Sequence, residues 1–146
     1  MNKKEMNNKG FSLVELIIVI AIMAILVGVL APQFIKYIER SRISKDMQNV
    51  QQAKTAVEVY IAGNEGVTAT DFKITINGGT TKTAVISMPS SVTSLDGVTS
   101  PITLSSGNWP SGAHEYAMQS DYTWSGAGTP CQNTSDTTKD MSDIFK

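Results

Sequence analysis

The sequence predicts an α+β protein: one long N-terminal helix, its first half apolar enough to span a membrane and its second half packed on a small antiparallel sheet. Three observations predict it. Residues 16–35 contain no ionisable group, and apolar residues then recur at helical spacing from Ile43 to Ile61. From residue 71 onward, short stretches rich in Thr, Val and Ile alternate with Gly, Asn, Ser and Pro, the chemistry of strands and turns. A chain of 146 residues has room for one modest domain and an anchoring segment.

The apolar run LIIVIAIMAILVGVLAPQFI, residues 16–35, would reach roughly 30 Å as a helix, the thickness of a hydrocarbon core. A secretory signal would have a shorter apolar region with its small-residue cleavage site beyond it. Here the small residue, Gly10, precedes the run. Lys3, Lys4 and Lys9 favour a cytoplasmic N-terminus, whereas Lys36, Arg40, Arg42 and Lys45 on the other flank weaken that bias.

Helical periodicity continues past the span without a turn signal. Ile43, Met47, Val50, Val57 and Ile61 form an apolar stripe with Ala53 and Tyr60, and Arg42, Lys45, Asp46, Gln52 and Glu58 are expected on the other faces. The helix should stop near Ala62, where Gly63, Asn64, Glu65 and Gly66 offer left-handed caps. Pro32 removes one helical hydrogen bond and crowds the preceding turn, with Gly28 one turn earlier, so a bend or a locally open turn is expected there.

Residues 71–76 alternate apolar and polar side chains, Asn77, Gly78 and Gly79 supply a turn, and residues 81–88 complete a hairpin. Residues 101–104, 115–119 and 122–124 are further strand candidates. Met88, Trp109, Tyr116, Met118, Tyr122 and Trp124 read as core, and the polar residues 126–142 as a surface loop or tail.

Little supports catalysis. The 12 basic residues nearly balance 13 acidic ones, which argues against a nucleic-acid-binding surface. His114, the single histidine, has no nucleophile at a recognisable spacing and reads as a surface residue. Asp136, Asp140 and Asp143 do not follow the helix–loop–helix calcium spacing, so neither metal nor other cofactor is expected. Asn133, Thr134 and Ser135 match a glycosylation acceptor, a tripeptide that recurs by chance.

Lys9, Gly10, Phe11, Ser12, Leu13, Val14 and Glu15, followed at once by the apolar run, resemble the signature of type IV prepilins. That signature is shared by type IV pilins, the pseudopilins of secretion systems and the minor pilins of DNA-uptake machines. The resemblance implies the pilin fold. It implies cleavage between Gly10 and Phe11 by a membrane-embedded peptidase, and methylation of the new Phe11 amine, both on the cytoplasmic side. Glycine before the cut suits an extended backbone in a tight site. The chain would then divide into a leader (1–10), a transmembrane and polymerisation segment (11–35), an amphipathic helix (36–62) and a β-rich domain (63–146). The mature chain would carry 9 basic and 12 acidic groups.

An ionisable group at the head of a lipid-facing helix is costly and needs a partner or a function. In the family, the carboxylate at the position of Glu15 neutralises the amino terminus of a neighbouring subunit; a carboxylate that merely reaches the interface is the other reading. The segment from Gly28 to Pro32 would unwind inside the fibre. Expected partners are other pilin subunits, the prepilin peptidase and methyltransferase, an assembly platform, and membrane lipid before assembly. Expected localisation is the membrane first and a surface fibre afterwards. A structural role as a polymerising pilin, a pseudopilin role, and a non-polymerising anchored binding module all stay open, and the Phe11 to Glu15 pattern favours the polymerising ones. The resemblance departs at Cys131, the single cysteine: many pilins of double-membraned bacteria close their C-terminal region with a disulfide, which this chain cannot form. That thiol reads as an inert small residue or, if exposed, as a link between subunits.

Overall fold

The structure, a computed structural model, describes residues 10–127 and 130–146; all of the expected leader (1–10) except Gly10 lies outside the described residues. The described residues fall in two compact units, one ending at Ile38 and the other running from Glu39 to Lys146. Helix α1, Leu13–Gly63, contributes to both.

In the second unit, α1 buries Ile43, Asp46, Val50, Ala53, Val57 and Ile61, steps of three and four residues that keep one face inward. The helix ends one residue beyond the expected Ala62, at Gly63, and Gly66 takes a left-handed φ of 89° shortly after. A 3₁₀ turn, Ala69–Asp71, replaces the start of the first predicted strand. Five strands follow: β1 (Lys73–Asn77), β2 (Thr83–Ser87), β3 (Ile102–Thr103), β4 (Ala113–Met118) and β5 (Trp124–Ala127). They form one antiparallel sheet in the order β3-β2-β1-β4-β5.

Register explains the core. Ile74 stands opposite Ile86 on one side and Tyr116 on the other, and Ile76 opposite Ala84 and His114. Each of these side chains is buried, and all but His114 join the helix stripe in one hydrophobic cluster. The predicted hairpin is β1–β2. At its turn Gly78 has no room for a side chain: an added Cβ would stand 2.0 Å from the Pro110 carbonyl oxygen. Gly79, at φ 64°, donates its N–H to the Trp109 carbonyl at 3.0 Å.

Asp46 was expected on a solvent face and is instead fully buried. Its carboxylate accepts from the backbone N–H groups of Ser105 (2.6 Å) and Ser106 (2.8 Å) and from Trp109 Nε1 (2.9 Å). Two turns earlier, Glu39 accepts from Ser106 Oγ and from Asn108 Nδ2 at 2.8 Å. Burial pushes the Glu39 carboxyl up, but the Ser106 and Asn108 hydrogen bonds, with Arg42 beside it, outweigh burial and hold it below the usual carboxylate range. Two helix carboxylates thus fasten the β3–β4 loop.

The same loop fastens the C-terminus. Thr134 N–H donates to the Asn108 carbonyl at 2.8 Å, and buried Asn133 reaches Ser106 Oγ at 3.4 Å while its own Oδ1 accepts from Ser135 and Asp136 N–H. Residues 126–142, expected as a surface loop or tail, are largely exposed or half-buried where described, but the segment is anchored to the domain. Gly126 belongs to β5, and Cys131, Asn133 and Met141 are fully buried. A short 3₁₀ helix, Met141–Phe145, ends the chain with Phe145 stacked on Tyr116, ring centroids 4.1 Å apart. Burial, with a smaller contribution from the Asp140 charge, pushes the Cys131 thiol up to about 12, which leaves it neither reactive nor placed to link subunits.

Three further expectations change. Tyr122, read as core, is 66% exposed because it sits at φ 64° in the β4–β5 turn. His114, read as a surface residue, is buried on β4. Asn133 is fully buried and hydrogen-bonded, so the glycosylation tripeptide is not accessible in the folded domain.

Candidate functional site

The residues that carried the functional expectation lie at the head of α1. Gly10 and Phe11 precede the helix in exposed, non-helical backbone, and Phe11 is 86% exposed. Ser12 stands at the N-cap position and Glu15 at the third helical position. Their spacing is that of a capping box, and the reciprocal half of that box is formed: Ser12 N–H donates to Glu15 Oε2 at 2.9 Å, while Leu16 N–H reaches the Ser12 carbonyl at 3.3 Å. A carboxylate here also meets the positive end of the helix dipole. The pairing of Ser12 with Glu15 is absent from the sequence reading, although Ser-x-x-Glu ahead of an apolar run is the signal for it.

Downstream the apolar side chains are exposed throughout. Leu16, Ile17, Ile20, Ile25, Val29 and Ile35 each keep more than half of their surface uncovered. Among the described residues, α1 is the one helix long and apolar enough to cross a membrane. A soluble monomer seldom leaves a continuous apolar surface of this kind, so the segment calls for lipid or for other helices.

The glycines make the same point. A Cβ built on Gly10 or on Gly28 meets nothing within 4 Å. No packing among the described residues requires glycine at either place, in contrast to Gly78, so any such requirement comes from outside the single chain. The helix runs without interruption through Gly28 and Pro32, and the open turn expected there is not a feature of the isolated chain.

Among the described residues, no three or more His, Cys, Asp or Glu side chains are grouped to hold a metal ion. Asp136 is engaged by Thr138, Asp140 caps Ser142 N–H, and Asp143 pairs with Lys146.

A family profile described as "Prokaryotic N-terminal methylation motif" matches residues 6–31. Curated relatives bear related names. The type IV major fimbrial protein FimA of Dichelobacter nodosus is 46% identical over 59 residues, 40% of this chain and 38% of its own. The prepilin peptidase-dependent protein A of Clostridium perfringens is 35% identical over 88 residues, 59% of this chain and 63% of its own. Over part of its length the chain is similar to type IV pilin-like proteins. A third relative of this pilin-like chain, the type IV major pilin protein PilA of Myxococcus xanthus, is 40% identical over 55 residues, 38% of this chain and 25% of its own. The chain spans little more than a third of the length of the first fimbrial relatives it matches. No solved structure matches it. Members of the family are structural subunits rather than enzymes, and the helix and five-stranded sheet are those of the α+β pilin fold.

Proposed function

We propose that this chain is a membrane-held precursor, cut between Gly10 and Phe11, methylated on the Phe11 amine and polymerised through α1 into a fibre on the cell surface. In this reading residues 11–35 are the transmembrane and polymerisation segment. Residues 36–62 and 63–146 form the part that is displayed. The peptidase with its methyltransferase, an assembly platform and neighbouring subunits are the partners.

The observation that carries the reading is the coincidence of an exposed apolar helix with a carboxylate at its head. In the isolated chain Glu15 is held by the Ser12 N–H, so the carboxylate is already turned toward the end of the helix where cleavage would create an ammonium. A subunit entering the fibre can exchange that neutral donor for the ammonium of a neighbour's Phe11. Charge-assisted bonds are about twice as strong as neutral ones, and low dielectric strengthens them further. Gly28 and Pro32 weaken the helix between the two ends, and we place in the fibre the unwinding that the single chain lacks.

Intact-mass measurement of assembled material tests the processing: the chain should begin at Phe11 and carry one methyl group, and retention of Met1 would refute it. Glu15→Val tests assembly. The variant should insert and be cleaved, because its span is more apolar, while fibre number falls. Normal numbers of normal-length fibres from Glu15→Val would end the charge-pairing mechanism.

A further inference from the structure

Past the charge-free run, the amphipathic part of α1 carries Arg40, Arg42 and Lys45 among two acids, Glu39 and Asp46. The composition reads as a mixed, nearly balanced helix surface. The folded domain separates the signs. Asp46 is fully buried on Ser105, Ser106 and Trp109, and Glu39 is turned to Ser106 and Asn108. The bases stay out: Arg40, Arg42 and Lys45 are all exposed. Among the described residues only Arg42 of the three makes an ion pair, 3.6 Å from Glu39. Asp136 feels the Arg40 charge but is held chiefly by Thr138.

At about 100° per residue, Arg40 lies on one side of the solvent arc and Arg42 and Lys45 on the other, with Ser41 and Ser44 between them. The three span about 7.5 Å along the axis. The result is a short positive collar whose acids have been withdrawn into the domain, beginning five residues in sequence after the uncharged run ends at Ile35.

We propose that this collar binds anionic phospholipid headgroups of the leaflet on the domain's side while the chain is still in the membrane. The proposal rests on the membrane-held reading above and adds to it a site and a class of lipid. Basic residues just beyond a span are attracted to an anionic leaflet, on the order of fivefold in affinity for each unpaired charge near the surface. Arg40 and Lys45 supply that attraction in full, and Arg42 less because Glu39 shares it. Hydroxyls on Ser41 and Ser44 can donate to the same phosphates. Entry into the fibre would trade these lipid contacts for subunit contacts, so lipid charge would set how readily a subunit leaves the membrane.

The test uses the full chain in vesicles of phosphatidylcholine containing a minor fraction of phosphatidylglycerol, with spin-labelled versions of each lipid reporting which one borders the protein. Wild type should select phosphatidylglycerol, and Arg40→Gln, Arg42→Gln and Lys45→Gln together should lower that selectivity by about twenty-fivefold or more, roughly fivefold for each of the two unpaired charges. Arg40→Lys with Arg42→Lys should keep it. Salt of about 1 M, where the Debye length is ~3 Å, should erase it. Equal selectivity in wild type and the triple Gln variant would overturn the proposal. So would displacement by inorganic phosphate beyond that by chloride at equal ionic strength, since the ligand would then be a free anion. Loss of fibres in the triple variant with no lipid selectivity in wild type would overturn it in favour of an acidic surface on a neighbouring subunit. Extraction of the wild-type chain from vesicles by alkaline carbonate would refute the membrane-held reading itself, a result separable from correct insertion without lipid preference.

Discussion

Removing the Asp46 carboxylate is the sharpest perturbation of the domain. Three donors converge on it, two backbone N–H groups and the Trp109 indole, at 2.6, 2.8 and 2.9 Å. Asp46→Ala leaves all three without an acceptor, and each buried orphan costs about 1–3 kcal/mol. The Ser105 N–H is only partly buried and can turn to water, so the sum falls short of three full penalties. The expected loss is about 3–5 kcal/mol, a large share of the ~5–15 kcal/mol that stabilises a typical domain. Asp46→Asn keeps one oxygen but aims an amide N–H₂ at a donor, and should lie between Ala and wild type. The assay is urea unfolding of a chain beginning at Lys36, which removes the exposed apolar segment and should be a soluble monomer. Trp109, 2% exposed, reports directly on the site. With a slope of ~2 kcal/mol/M the midpoint should fall by about 2 M for Asp46→Ala, and the native Trp109 emission should shift to the red. A loss under about 1 kcal/mol with unchanged emission would refute the assignment of this carboxylate as the anchor of the β3–β4 loop.

Two further predictions concern the same domain. Glu39 has its folded pKa held below its ordinary 4.5, so its contribution is present above that value and lost as pH falls through the folded pKa. Wild type should therefore exceed Glu39→Gln by about 1 kcal/mol at neutral pH and converge with it in acid, which thermal unfolding across the pH range will show. A constant difference at all pH values would mean that packing, not charge, is responsible. Gly78→Ala drives a methyl group into the Pro110 carbonyl and should cost about 1–3 kcal/mol, whereas Gly63→Ala, with nothing within 4 Å, should be near neutral; equal unfolding midpoints for the two would contradict the close approach at the hairpin turn.

The helix stripe and the β1–β2 hairpin were legible because both depend on short-range periodicity and turn chemistry. Asp46 was not. A carboxylate between Lys45 and Met47 reads as solvent-facing, and the donors that justify its burial lie 59 to 63 residues away in a loop without periodicity. The anchoring of residues 130–142 was not legible for a related reason: their buried members, Cys131, Asn133 and Met141, are few and irregularly spaced, so polarity dominates any window over them. Tyr122 reads as core on composition alone, and only the left-handed turn it occupies turns it outward. At the candidate site, Gly10, Phe11 and Glu15 are expected from the resemblance to the prepilin signature, whereas the Ser12 N–H bond to Glu15 belongs to helix capping, which that signature does not describe.

The absence of a disulfide gives these interactions a common role. A C-terminal segment of this length has entropy to lose on ordering, about 1–2 kcal/mol per residue of backbone, and a covalent staple would reduce that loss by restricting the unfolded chain. Here the segment is ordered by native contacts alone. Met141 N–H donates to the Cys131 carbonyl at 3.0 Å, Asn133 N–H to the Lys139 carbonyl at 2.8 Å, and Phe145 packs between Tyr116 and Trp124. Trp124 in turn donates its indole N–H to Glu58 at 2.9 Å, and Asn133 leads through Ser106 to Glu39. The last strand and the last residues are thus tied at both ends to carboxylates on one helix. Because none of these ties involves sulfur chemistry, the closure does not depend on the redox state of the surroundings. Because they converge on the helix, a weakened contact at Asp46 or Glu39 should loosen the C-terminal segment as well as the loop beside it.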